Sequence, residues 1–96
     1  MIRSFGNALA SQLYDDTPRK DARHFPKELW RSARRKLQIL HEAEVLDDLR
    51  VPPGNRLEKL RGDFLGFCSI RINDQWRIIF RWENGHAHQV AILDYH

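Results

Sequence analysis

Between Trp76 and Trp82 a large apolar residue falls at every second position: Trp76, Ile78, Phe80 and Trp82 alternate with Arg77, Ile79 and Arg81. A period of two is the mark of a strand with one buried face. Asn84-Gly85 follows. Both central residues of a type I′ hairpin turn need positive φ, which Asn and Gly adopt most readily. A two-residue loop there sets Glu83 opposite His86 and Arg77 opposite Ile92. Residues opposite one another share a face. The expectation is therefore that Arg77, Arg81, His88, Asp94 and His96 project to one side, and the tryptophans, Ala91, Leu93 and Tyr95 to the other. Upstream, Asn73-Asp74-Gln75 works best as a three-residue loop, with Ile72 facing Trp76, Ile70 facing Ile78 and Cys68 facing Phe80. A two-residue loop would move Arg71 to the tryptophan face, a slip that burial of one face forbids. Arg71 then lies opposite Arg77, a repulsive pair that Asp94, diagonal to Arg77, is expected to offset in part.

The first half of the chain has the helical period. Met1 to Phe5 reads as a short strand, and Asn7 caps a brief helix to about Tyr14. Asp15 to Phe25 reads as a polar connection. Pro26 suits a first helical turn, where its missing N–H is not needed. The main helix runs from there to about Ala43, with Leu29, Ala33, Leu37 and Leu40 in one apolar stripe widened by Trp30. The Arg34-Arg35-Lys36 run reads as a solvated helix face that also suits phosphate binding. Val45 to Arg50 is a further helical turn, Pro52-Pro53-Gly54 stops it, and Arg56 to Arg61 is the second strand. The order β-α-α-β-β-β predicts an α+β fold: an antiparallel sheet with helices packed on one face and the other face open.

Composition narrows this without deciding it. A length of 96 residues predicts a single domain with one modest core. Sixteen Lys+Arg against thirteen Asp+Glu give a net charge of +3, compatible with nucleic acid but not diagnostic of it. The lone Cys68 rules out an internal disulfide and falls on the apolar face, which suits a reducing, cytoplasmic setting. No stretch near the N-terminus reads as a signal peptide or membrane anchor, so no membrane partner is expected. His86-x-His88 lacks a third ligand, and no metal or cofactor is expected.

The opening MIRSF, the segment DDLRVPPGNRLEKLRGD, the run SIRINDQWRIIFRW and the terminal DYH resemble, in this order and over nearly the full length, the HigB-like plasmid-maintenance toxins of the RelE-type group. The resemblance implies a compact α+β fold with its active site on the open sheet face. It implies a ribosome-dependent messenger-RNA endonuclease, neutralised by a cognate helix-turn-helix antitoxin of the HigA-like kind. It points to Arg77 as the phosphate-binding cation, to Asp94, Tyr95 and His96 as the catalytic end of the last strand, and to Arg61 as a basic residue of the same surface. Lys59 and Arg71 complete the expected RNA-binding set. Two departures stand out. Where some relatives carry a His-Pro pair, this chain has Glu58-Lys59, and the family's second arginine position falls nearer Asn73 than Arg71.

The chemistry needs little. RNA carries its own nucleophile, the 2′-hydroxyl, so catalysis requires proton transfer and stabilisation of phosphorane charge. His96 is the first candidate for proton transfer. Asp94 either orients it or serves as the second group. The competing reading is a non-catalytic basic module that binds RNA or an acidic protein, with His96 incidental.

Overall fold

The computed structural model describes residues 1–17 and 20–94. Helix α1 spans Ala8–Asp15, and its cap does two jobs. Asn7 Oδ1 accepts from the Ala10 N–H at 3.0 Å, satisfying one of the free donors of the first turn, while Asn7 Nδ2 donates to the Ile92 carbonyl at 2.9 Å. The helix ends at Asp16, in the left-handed region at φ 56°. Within the stretch expected to be irregular lies a short helix, α2, Lys20–Arg23. Gln12 holds it: its Oε1 accepts from the Ala22 N–H at 3.2 Å and its Nε2 donates to Asp21 at 3.0 Å. Four residues are too few to show a helical period.

A single 3-10 turn, Lys27–Leu29, leads into α3, Trp30–Glu42. Its predicted stripe is real, since Ala33, Leu37 and Leu40 are fully buried against the sheet. Lys36, however, does not lie on a wet face. It is buried and donates to Asn55 Oδ1, and Asn55, itself buried, donates to the carbonyls of Leu49 and Val51. This one lysine pins the loop between α3 and the sheet. Burial, then Arg35 and Arg71, hold its pKa below the usual lysine value.

The sheet is antiparallel with strand order β1-β2-β3-β4: Glu58–Lys59, Cys68–Arg71, Trp76–Glu83 and His86–Asp94. The expected six-residue second strand shortens to two paired residues. The N-terminal segment adds to the far edge, with Ile2 bridging Ala87 and Phe5 bridging Val90 in parallel. The β2–β3 register is as predicted, with Cys68 opposite Phe80, Ile70 opposite Ile78 and Arg71 opposite Arg77. The hairpin is also as predicted: Glu83 faces His86, and Asn84 and Gly85 have φ 52° and 79°.

Beyond the hairpin the predicted parity fails. Gln89 takes φ 54° and bulges out of β4, so the pairing slips by one residue between Arg81 and Ile79. Arg77 lies opposite Leu93 rather than Ile92, and Asp94 lies opposite Trp76. Ala91 and Leu93 move to the arginine face, while Ile92 and Asp94 take the parity of the tryptophans. The N-terminal segment holds the bulge: the Gln89 N–H donates to Ser4 Oγ at 2.8 Å, and a Cβ on Gly6 would sit 2.7 Å from the Gln89 carbonyl oxygen. The face away from the helices is therefore not purely polar. Leu60, Ile79 and Ala91 are buried there beneath Phe64, Phe67 and Leu93. Among the described residues, no helix is long and apolar enough to cross a membrane.

Candidate active site

Arg77 is the centre of the open face. Its side chain is only 13% exposed, and β1, β2 and the turn before β1 each supply a partner for it. Nη1 donates to Ser69 Oγ at 2.7 Å and lies 3.4 Å from the Arg56 carbonyl oxygen. Nη2 donates to Glu58 Oε1 at 3.2 Å. Ser69 is fully buried, and Glu58 is its register partner on the edge strand. Arg56 sits in the left-handed region at φ 46°, which turns the chain into β1. A guanidinium so fixed presents charge in a set direction and loses little freedom on binding an anion.

The two opposed arginines each have a carboxylate partner. Glu58 pairs with Arg77, and Arg71 donates to Asp74 in the β2–β3 turn. Asp94, moved by the bulge, is exposed and accepts from Gln75 Nε2 at 2.8 Å. The expectation that it shares the arginine face is corrected by this shift of register. Tyr95 and His96, the other two residues expected at the catalytic end, lie outside the described residues.

Of the remaining expected cations, Arg61 and Lys59 line an open hollow of about 460 Å³ together with Glu58 and Leu60. Both are exposed. Lys59 has the parity of Cys68, its register partner, so it reaches the hollow from the edge of the sheet. Arg81 is engaged in structure: its guanidinium lies 4.5 Å from the Phe67 ring centroid and against Gly66. Cys68 is buried, and desolvation raises its thiol pKa while Lys59 works against the rise. That combination favours an inert core thiol.

Sequence reasoning missed Ser69 and left Glu58 as an anomaly. Ser69 lies between Cys68 and Ile70 with no motif to mark it. Its parity with Arg71 was the available signal, because the same register that pairs Arg71 with Arg77 puts Ser69 diagonal to Arg77.

An antiparallel sheet with helices packed on one face is a fold that solved toxin structures share. The fold matches a chain of the YoeB–YefM complex from Staphylococcus aureus with a TM-score of 0.61 and 18% identity, over 100% of this chain and 98% of that one. It matches YafQ from E. coli with a TM-score of 0.56 and 11% identity, over 98% and 93%. At these identities the likeness is one of fold. The sequence is more specific. The family model described as the RelE-like toxin of the type II toxin–antitoxin system HigB matches residues 3–96. Toxin HigB-1 of Vibrio cholerae serotype O1 is 44% identical over 89 residues, covering 91% of this chain and 90% of that protein. The chain belongs to the HigB-like toxin family.

Proposed function

We propose that this protein is a ribosome-dependent messenger-RNA endonuclease of the cytoplasm, cleaving by acid/base transesterification and neutralised by a HigA-like helix-turn-helix antitoxin. The observation that carries the reading is the Arg77 guanidinium, aimed and held by Ser69, Glu58 and the Arg56 carbonyl on the face left free by the helices. Family membership supports it, and the YoeB–YefM toxin–antitoxin complex of Staphylococcus aureus supports an antitoxin partner.

In this mechanism the 2′-oxygen attacks the adjacent phosphorus and the bond to the 5′-oxygen breaks, leaving a 2′,3′-cyclic phosphate. Arg77 stabilises the charge that builds on the phosphorane oxygens, the largest single contribution in such reactions. Glu58, an exposed carboxylate one hydrogen bond from Arg77, accepts the 2′-hydroxyl proton. It takes the role first considered for Asp94, whose parity now differs from that of Arg77. His96 protonates the leaving 5′-oxygen, an assignment that rests on imidazole chemistry and the family likeness. Asp94 is the residue proposed to orient it. Lys59, Arg61 and Arg71 neutralise flanking phosphates. The ribosome supplies alignment of the message, worth several kcal/mol that this small open site lacks.

The test is Arg77→Ala, induced in cells and added to a cell-free translation system. The folded variant is expected to lose toxicity and to cleave translated message about 10²–10³ times more slowly. Cleavage at the wild-type rate sinks the assignment. An intact message with wild-type protein leaves a binding module instead.

A further inference from the structure

We propose that the trough beside Arg77 on the open sheet face is a subsite for one unpaired nucleobase of the RNA. The proposal rests on the reading of Arg77 as the phosphate-binding group. The trough encloses about 370 Å³ and is walled in part by Phe67, Ile79, Ala91, Leu93 and Gln89.

Its placement is the first argument. Leu93 is the register partner of Arg77, and Ile79 is the next residue of β3 on the same face. Such neighbours are about 5–7 Å apart, so a nucleotide with its phosphate on Arg77 has its base within reach of the trough. Arg81 follows Ile79 on the same face, so an apolar strip lies between two cations along β3. An apolar strip that runs from Arg77 to the Phe67 wall backed by Arg81 matches a ring attached to a bound phosphate better than it matches an aliphatic side chain of a protein partner.

The walls are the second argument. Phe67 is half-buried and fixed by the Arg81 guanidinium at 4.5 Å from its centroid, giving a rigid aromatic surface with cationic backing. Bases stack on such surfaces whatever their sequence. Gln89 stands at the rim with its side chain exposed, and its backbone is clamped by the 2.8 Å bond to Ser4 Oγ. Its amide offers a donor and an acceptor to the edge of a base. The β-bulge that spoils the strand's parity is what brings Gln89 to that rim and turns Ala91 and Leu93 into the trough.

The experiment uses the whole folded protein and single-stranded RNA hexamers, 2′-O-methylated to block cleavage. Each hexamer carries one abasic nucleotide at a different position. Anisotropy is expected to show binding weakened about tenfold for one abasic position and little for the others. Gln89→Gly keeps a residue suited to positive φ and removes the amide. It is expected to change the ranking of the four bases at that position and, in translated message, to redistribute cleavage among sites by about tenfold. Uniform binding of all abasic hexamers, with an unchanged cleavage pattern for Gln89→Gly, overturns the subsite. In that case Arg77→Ala still abolishes cleavage if the reading of the active site is right. Unaltered cleavage by Arg77→Ala removes that reading and the subsite with it.

Discussion

Ser69, diagonal to Arg77 across β2 and β3, accepts a 2.7 Å hydrogen bond from its guanidinium while having no exposed surface of its own. The bond fixes the cation from beneath, so a substrate meets only its outer edge. A hydrogen bond to a charged group contributes about 1.5–3 kcal/mol. Ser69→Ala is therefore expected to lower cleavage about 10- to 100-fold. Single-turnover cleavage of ribosome-bound message measures it, and a wild-type rate would show that Glu58 and Arg56 suffice.

Glu58 is separable by chemistry. Glu58→Gln retains a hydrogen-bond acceptor for Arg77 Nη2 but gives up a titratable carboxylate. Glu58 is half-exposed and the amide keeps the hydrogen bond to the largely buried Arg77, so the change costs stability about 1 kcal/mol. Cleavage is expected to fall about 10²–10⁴-fold with the thermal midpoint nearly unchanged. Equal activity in the two proteins would move the proton-accepting role elsewhere.

The bulge has its own test. Gly6→Ala places a methyl group 2.7 Å from the Gln89 carbonyl oxygen, a backbone atom that cannot swing aside. The expected destabilisation is about 1–3 kcal/mol, read from urea unfolding. Leu37→Ala, in the fully buried stripe of α3, is expected to cost about 2–5 kcal/mol in the same assay.

Acidification should weaken the fold through His86. Desolvation first, then Arg3, the Met1 amino group and His88, hold its pKa below the ordinary value of about 6.5. The folded state then binds fewer protons than the unfolded chain near that value, so stability rises with pH there. The contribution is complete above the unfolded pKa and is lost as pH falls through the folded one. Urea midpoints between about pH 7.5 and 5 should decline, and His86→Asn should flatten the decline. A slope unaffected by that substitution assigns the effect to other groups.

Much of this architecture is legible in the residues because it rests on short-range rules. The register of β2 on β3 follows from alternation plus one loop length. The hairpin follows from Asn84-Gly85, and the α3 stripe follows from its period. What parity cannot show is the point where alternation breaks. No residue near Gln89 announces a bulge, since its positive φ is held by Ser4 and Gly6, more than eighty positions away in sequence. Asp94 was misplaced for that reason alone. Lys36 fails differently. Its neighbours Arg34 and Arg35 are exposed as expected, and only the tertiary approach of Asn55 gives the lysine a buried partner.

Strand β4 is zipped on both edges. It pairs with β3 on one side and, through Ala87 and Val90, with the N-terminal residues Met1 to Gly6 on the other. It also receives the Asn7 side chain and supplies a wall of the trough. The hairpin with β3 is local, but the links to Met1–Gly6 and to Asn7 join stretches some eighty residues apart, the slow kind of closure. A chain that ends at Gly85 thus has Ser69 and Glu58 to hold Arg77 but lacks Ala91 and Leu93 beside it, so the open face is finished only when β4 is in place.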